Sequence, residues 1–263
     1  MEMLILRLRG PLMAFGDVAV DELRPTDELP TLSQITGLIA NALGWSYQDT
    51  EKLQRLQDRL RIACRQDRAG SPLRDYQTAR LNSNDLLWRS DGLVAEREVG
   101  TSGDFTVQRY RHYRADSAVT VLVALDPPAE YPVLTDIRDA LKRPARPLFI
   151  GRVSCPPAEP ICSEPDGREI VQFDSLEDGL HRVVPRGVLP SVGERPENEV
   201  CTALAEWPLT PEQAAGMKGA EKTRVIERFD GRRWAANVHG CRRFAYRTKL
   251  RLEQIAGEEA CAQ

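Results

Sequence analysis

The stretch SAVTVLVAL, residues 117–125, decides the fold class of this chain. It is short, rich in valine and closed by Asp126-Pro127-Pro128. Proline lacks the backbone N–H that a sheet needs, so the run ends there. A short apolar run bounded by turn formers is typical of a strand buried on both faces. The stretch therefore predicts a strand buried within a sheet.

The segments on either side of this strand show helix and strand patterns. Val133, Ile137 and Leu141 recur at a four-residue spacing, which predicts an amphipathic helix that Pro144 ends. Residues 59–65 alternate between apolar and polar, as a half-buried strand does. The other predicted elements are a strand at 3–9, a helix from Gln34 to Leu43 capped by Ser33 and ended by Gly44, a helix at 49–60, and a strand in PLFIGRVSCP, residues 147–156.

The order of these elements is strand, helix, strand, excursion, strand, helix, strand. It matches the β-α-β-β-α-β plan of a ferredoxin-like fold, an α+β fold with both helices on one face of the sheet. The excursion, residues 77–114, is polar and carries turn signals at Asn82-Ser83-Asn84, Asp91-Gly92 and Gly100 to Gly103. We expect it to form a hairpin that stands out from the core.

Gly37 lies in the middle of the predicted helix 34–43. A glycine there destabilises a helix by roughly 0.5–1 kcal/mol relative to alanine, so its presence calls for a compensating close approach. We expect the glycine to let the helix sit close to the sheet. The alternative is that its bare backbone contacts a ligand.

The charges of the chain nearly cancel in total but are separated along the sequence. The 263 residues contain 36 Lys and Arg against 39 Asp and Glu, a net charge of −3. This argues against coating nucleic acid by bulk charge, so any nucleic-acid site must be local. Residues 155–212 hold twelve acidic and four basic residues, while residues 218–251 hold eleven basic and three acidic residues.

The cysteines and the first residues of the chain indicate where the protein is located and whether it binds a metal. The six cysteines form no CxxC pair, which favours free thiols in a reducing cytosol. Cys155, Cys162 and His181 lack the tight spacing of zinc ligands, so we predict no metal and no cofactor. The start, MEMLILRLRG, has too few consecutive apolar residues for a signal peptide or a membrane span. We expect no membrane contact and a cytoplasmic location.

The segment QRYRHYR, residues 108–114, carries the densest chemical signal. Guanidinium groups bind phosphates through paired hydrogen bonds and aromatic rings stack on unpaired bases, so the mixture suits single-stranded RNA. In a strand, one face would carry Arg109, Arg111 and Tyr113, and the other Gln108, Tyr110, His112 and Arg114. The alternative is a solvated strand with ordinary cross-strand pairs.

A second basic run surrounds the turn that contains Gly151. Glycine there would let a phosphate approach backbone N–H groups. Basic residues at helix ends also oppose the helix dipole, which is the alternative explanation. The run consists of Lys142, Arg143, Arg146 and Arg152.

Catalytic motifs are mostly missing from the sequence. It has no P-loop, GxGxxG, GxSxG or HExxH motif. The candidate base for a histidine-based nuclease is His112, whose same-face neighbours in a strand are Tyr110 and Arg114. These side chains can bind RNA without forming a matched acid and base, so we predict no catalytic residues.

Five segments together resemble the RAMP superfamily of CRISPR-associated proteins, and within it the CasD-type subunits of type I-E Cascade. The resemblance implies a ferredoxin-like, RRM-like domain at 1–152 with a protruding thumb hairpin at about 79–113. It also implies a smaller, β-rich C-terminal part at 153–263. The segments are LILRLRGPLMAFGD, RPTDELPTLSQITGLIANALG, LRDYQTA, RYRHYRADSAVTVLVAL and RPLFIGRVSCP.

The resemblance also implies a function. Such a subunit is noncatalytic, binds the 5′ handle of the CRISPR RNA, caps the backbone filament of the surveillance complex and touches its large subunit, in antiviral defence. Its partners would be CRISPR RNA, the backbone and large subunits and, indirectly, target DNA. By match to the family motifs, Arg24, Thr26, Ser33 and Gln34 would lie near the handle and Gly151 with Arg152 would form a glycine-loop contact.

Two other functions remain open from the sequence. Relatives in type I-C systems cut precursor RNA, so a CRISPR RNA processing endoribonuclease is one alternative. A subunit that bridges proteins without touching RNA is the other.

The sequence departs from shorter family members after about residue 187. The basic stretch 218–251 is longer than the family leads us to expect, and one interpretation is an extra strand pair lying on nucleic acid or a neighbouring subunit. We expect this stretch to bind such a partner rather than support the core. The competing account is neutralisation by the acidic segment 155–212.

Overall fold

A computed structural model describes residues 1–17, 22–81, 87–88, 94–95, 105–187 and 202–251. The chain is a mixed α/β protein built on antiparallel sheet. The strands are β1 (Glu2–Arg9), β2 (Leu12–Met13), β3 (Leu23–Arg24), β4 (Leu60–Arg68), β5 (Ser71–Leu81), β6 (Leu87–Trp88), β7 (Val94–Ala95), β8 (Phe105–Ala115), β9 (Ala118–Leu125), β10 (Ile170–Gln172), β11 (Thr202–Leu209), β12 (Val225–Arg233) and β13 (Val238–Arg251). The helices are α1 (Leu32–Ala42), α2 (Thr50–Arg59), α3 (Leu134–Lys142), α4 (Leu176–Arg182), α5 (Pro211–Gly216) and α6 (Gly219–Lys222).

The main sheet has seven strands in the order β10-β1-β9-β4-β11-β13-β12, and its neighbouring strands are antiparallel. Every residue of β9 is buried, which confirms the strand predicted from SAVTVLVAL. Helices α1, α2 and α3 cover one face of the sheet around Leu6 and Val121. Helix α4 covers the other face, where Leu180 packs with Ile5. The sheet is therefore buried between two apolar layers.

The predicted strand at 147–156 is wrong, because this segment is a loop. Gly151 has a φ of +91°, and the backbone N–H of Ile150 donates to the carbonyl of Cys155 at 2.7 Å, which folds the segment back on itself. The strand beside β1 is instead β10. The apolar run Leu148 to Ile150 resembles a strand locally, yet the carbonyl of Ile150 accepts a hydrogen bond from the distant backbone N–H of Ala14 at 3.2 Å.

The start of α1 differs from the prediction. Thr31 is the cap, since its hydroxyl accepts a hydrogen bond from the backbone N–H of Gln34 at 3.2 Å. Ser33, the predicted cap, lies inside the first turn with 7% of its surface exposed.

The predicted close approach of Gly37 to the sheet is also wrong. A Cβ atom at Gly37 would lie 3.9 Å from Cη2 of Trp234. Among the described residues outside the helix, no other atom would lie within 4 Å of it. Trp234 belongs to the turn between β12 and β13, and its indole N–H donates to Gln57 at 3.2 Å. At this distance the Cβ atom would make an ordinary van der Waals contact with Trp234, so packing against the C-terminal hairpin does not require a glycine at this position.

The basic stretch 218–251 supports the core, contrary to expectation. It does form a strand pair, β12 and β13, but β13 pairs with β11 over eight residues of the chain's own sheet. The division of the chain at 152/153 stays a prediction, although strands from both sides share this sheet.

Four cysteines lie in the described part of the chain, and all four are free thiols, as expected. Burial raises the pKa of Cys162 to about 12, so this thiol stays protonated near neutral pH. Within the described ranges, no three His, Cys, Asp or Glu side chains are grouped as metal ligands. The helices in these ranges are also too short or too polar to cross a membrane.

Candidate nucleic-acid interface

A second sheet is built around β8, the strand that carries QRYRHYR. Strand β5 pairs with it antiparallel along its whole length, from Ser71 opposite Ala115 to Leu81 opposite Phe105. On the other edge, β2 pairs near Arg114 and β3 runs parallel beside Tyr110 and Arg111. Arg24, which lies in β3, is thereby placed next to β8. The turn signals predicted at 82–84, 91–92 and 100–103 lie outside the described residues.

Arg152 joins the glycine loop to both strands. Its Nη1 donates to the carbonyl of His112 at 2.9 Å and its Nη2 to the carbonyl of Arg24 at 3.0 Å. Its guanidinium also lies 4.7 Å from the ring centroid of Tyr113, which is cation–π distance. Candidate residues from three separate segments of the sequence therefore form one continuous surface.

Gly151 lies against the segment that follows β2. A Cβ atom at Gly151 would overlap the carbonyl oxygen of Ala14 and come within 3.0 Å of Nε2 of Gln34. That Nε2 donates to the same carbonyl at 3.2 Å. The hydroxyl of Thr26 accepts from the backbone N–H of Phe15 at 2.8 Å. Thr26, Gln34 and Gly151, which the resemblance places near the RNA, thus meet around residues 14–15.

Two polar atoms near this surface are buried without a partner in the described part of the chain. They are Oε1 of Gln34 and Nε2 of His112. Buried polar atoms are nearly always hydrogen-bonded, so these two atoms have hydrogen-bonding capacity that the described residues do not use. Ser33 differs, because its hydroxyl lies 3.3 Å from that of Thr31 within the helix start. An RNA contact by Ser33 stays a prediction.

One face of β8 carries Arg109, Arg111 and Tyr113. Tyr113 is buried, with its hydroxyl 3.4 Å from that of Ser154. Arg109 donates to the carbonyl of Gln108 at 3.0 Å. Arg111 makes no hydrogen bond or ion pair within the described residues. This face therefore has one end in the core and two guanidinium groups that do not form ion pairs within the described residues.

The other face of β8 carries Gln108, Tyr110, His112 and Arg114. The ring of Tyr110 lies 5.0 Å from that of Tyr76 on β5, and the guanidinium of Arg74 lies 5.5 Å from the Tyr110 ring. Tyr76 is 50% exposed. Arg74 and Tyr76 belong to LRDYQTA, a segment that carries the family resemblance and shows no RNA-binding pattern of its own. An exposed tyrosine ring paired with a half-buried one beside a guanidinium suits stacking of an unpaired base.

Most of the second basic run has structural partners. Lys142 pairs with the buried carboxylate of Glu169 at 2.8 Å, and Arg146 donates to the carbonyl of Trp45. Only Arg152 of this run reaches the interface. Arg114, on β8, pairs with Glu28 at 2.7 Å.

A cluster of six charged side chains holds Asp27 and the start of α1 against β11, β12 and β13. Burial acts to raise the pKa of Asp27, but the hydrogen bond and charge of Arg228 and the charge of Arg247 lower it below 3.8. Burial also acts to raise the pKa of Asp230, but the hydrogen bond and the charge of Arg243 lower it below 3.8. These pairs are not evident from the sequence, where the opposite net charges of segments 155–212 and 218–251 are a signal only for the pairs of Glu206. The cluster consists of Asp27, Glu206, Asp230, Arg228, Arg243 and Arg247.

The comparisons with known proteins agree with one another. A family model described as CRISPR-associated protein (Cas_Cas5) matches residues 3–216. The CRISPR system Cascade subunit CasD of Escherichia coli (strain K12) is 32% identical over 167 residues, which are 60% of this chain and 68% of that protein.

Two solved structures have a similar fold. One, described as a CRISPR RNA-guided surveillance complex, contains a chain with a TM-score of 0.63 and 21% identity, covering 98% of this chain and 95% of that one. The other, described as the crystal structure of a Cas protein, has a TM-score of 0.56 and 23% identity, with 97% of each chain covered.

Proposed function

This chain belongs to the Cas5 family of CRISPR-associated proteins, as a Cascade subunit of the CasD type, and on that premise we propose that it binds the 5′ handle of CRISPR RNA without cutting it. In the proposed role it caps the backbone filament, contacts the backbone and large subunits, and meets target DNA indirectly, in the cytoplasm. The observation that carries the proposal is Arg152, which joins the glycine loop, β3 and β8 into one surface.

The proposed fold of the N-terminal part is ferredoxin-like. The strand order β10-β1-β9-β4, with α1 and α3 on one face, supports it, because a β-α-β-β-α-β unit places its fourth strand beside its first and its third beside its second. The proposed thumb is the hairpin whose arms are β5 and β8.

The local charge of the interface supports RNA as the ligand. Arg109 and Arg111 lie on one face of β8, and the carboxylate opposite Arg111, Asp75, is engaged by Gln77. The other face offers tyrosine rings. Phosphate contacts on one face and base stacking on the other are what a single strand needs.

Replacing Arg109 and Arg111 by alanine should weaken binding of handle RNA and flatten its salt dependence. Each lost phosphate contact removes about one unit from the slope of log affinity against log salt concentration. Affinity of the purified protein for a synthetic handle, measured across a salt series, tests this.

The matched control removes two exposed arginines outside the second sheet, Arg168→Ala with Arg182→Ala, whose side chains are 81% and 62% exposed. It changes net charge equally and should leave the slope nearly unaltered. Equal slopes for both double variants would contradict the thumb assignment. Failure of the wild-type protein to bind or copurify with RNA would instead favour the protein-bridging function.

The chain should leave its cognate repeat RNA intact. Metal-independent cleavage needs a base, an acid and a cation held within hydrogen-bond reach of the RNA. Nε2 of His112 has no partner among the described residues, and the carbonyl of His112 is held by Arg152. Gel analysis of repeat RNA with and without chelator tests this. Site-specific cleavage that His112→Ala abolishes would establish the endoribonuclease function.

A further inference from the structure

Residues 24–27, the first part of the proposed handle site, are held at three points. The carbonyl of Arg24 accepts from Arg152, and the hydroxyl of Thr26 accepts from the backbone of Phe15. The carboxylate of Asp27 accepts from Arg228 on β12, which lies 201 residues further along the chain. This segment has no regular structure after β3, so these contacts fix its position.

The same C-terminal hairpin holds the start of α1. One oxygen of Asp230 accepts from the backbone N–H of Leu32 at 3.1 Å, next to Ser33 and Gln34. The first N–H groups of a helix have no partner within the helix, so a carboxylate there both pairs and complements the dipole. Arg243 in turn binds Asp230 at 2.7 Å, which keeps the carboxylate in place.

Glu206 of β11 connects the two attachments. It accepts from Arg243 at 3.0 Å and from Arg247 at 2.8 Å, and its side chain is only 4% exposed. Arg228 and Arg247 then reach Asp27, whose side chain is 17% exposed. Three arginines thus face three carboxylates, so the cluster is neutral and its charge is not available to bind RNA.

The arginines of this cluster lie beyond residue 216, where the match to the family model ends. We propose that hairpin β12–β13 is a positioning element for the handle site, in which Arg228 and Asp230 hold residues 24–34 in the arrangement that binds RNA. This inference rests on the proposed function. Asp27 lies at the outer edge of the cluster, and its pair with Arg228 attaches a loop rather than filling the core. Ordering that loop in advance removes an entropic cost from binding.

The test is Asp27→Asn, which keeps the size of the side chain and removes its charge. We expect handle RNA to bind about tenfold more weakly, since a hydrogen bond between charged groups contributes roughly one such factor. Backbone amides of residues 22–28 should exchange hydrogen faster, while amides of β9 and the melting temperature stay nearly constant. Asp27→Glu, which restores the charge, should recover part of the affinity.

The control is Asp166→Asn, an exposed carboxylate outside the cluster, which should change neither quantity. Unchanged affinity with faster exchange at 22–28 would overturn the positioning role, and so would loss of affinity together with uniformly faster exchange and lower melting temperature. If the wild-type protein itself fails to bind handle RNA, the proposed function fails instead.

Discussion

Gly151→Ala is expected to lower the free energy of unfolding by about 2–5 kcal/mol and to abolish binding of handle RNA. A residue with a side chain at positive φ is strained by about 1–2 kcal/mol, and overpacking adds typically 1–3 kcal/mol. At Gly151 both apply, because φ is +91° and a Cβ atom would overlap the carbonyl of Ala14. The loop must move away from residues 14–15, and Arg152 must then leave the carbonyls of His112 and Arg24. Denaturant unfolding and RNA titration of the same variant measure both effects.

Gly167→Ala is the control that separates the backbone strain at positive φ from the overlap with Ala14. Its φ is +70°, but nothing lies within 4 Å of the position a Cβ atom would take. The control should therefore suffer only the backbone strain of about 1–2 kcal/mol and keep its RNA affinity. Equal destabilisation of the two variants would mean that contact with Ala14 contributes nothing.

The sequence patterns were sufficient where local forces determine the structure. The buried run at 117–125 and the helical spacing that includes Ile137 and Leu141 are each decided within a few residues, and the structure has β9 and α3 there. The helix begins one residue after Val133, which is its N-cap. The loop at 147–156 is held instead by contacts such as the hydrogen bond from the backbone N–H of Ala14 to the carbonyl of Ile150, which no local pattern reveals. Strand β10, three residues at the sheet edge, has too short a pattern to be recognised.

Some features of the candidate site could likewise be predicted from the sequence, and others could not. The residue types of β8 could be recognised as suited to RNA, and their alternation between two faces follows from strand geometry. The partner that Tyr110 finds in Tyr76 could not be recognised, since it depends on strand register, and neither could the pair of Asp27 with Arg228 on β12, which are 201 residues apart. Opposite charge in two segments predicts attraction, but geometry decides which arginine meets which carboxylate.

Asp230→Ala should lower the free energy of unfolding by about 3–5 kcal/mol, the usual effect of removing one partner from a buried ion pair. The change removes one of the three carboxylates that face the three arginines of the cluster: Arg243 keeps Glu206, and Arg228 keeps Glu206 and Asp27. It also leaves the N–H of Leu32 without its acceptor. Denaturant unfolding of the wild type and the variant at neutral pH measures the loss.

Glu227→Ala is the matched control on the same strand, because its pair with Arg242 is exposed and 3.7 Å long. Exposed pairs contribute less than about 1 kcal/mol, so the control should remain close to the wild type.

The pH dependence of the free energy of unfolding gives a second test of the same cluster. The pKa of Asp230 is lower in the folded state than its ordinary 3.8, so its contribution is complete above that value and is lost as pH falls through the folded pKa. In Asp230→Asn this part of the acid destabilisation should be missing. Two results would show that the cluster contributes little to holding the hairpin against the sheet. One is that Asp230→Asn loses stability at low pH as the wild type does; the other is that Asp230→Ala lowers the free energy of unfolding no more than Glu227→Ala does.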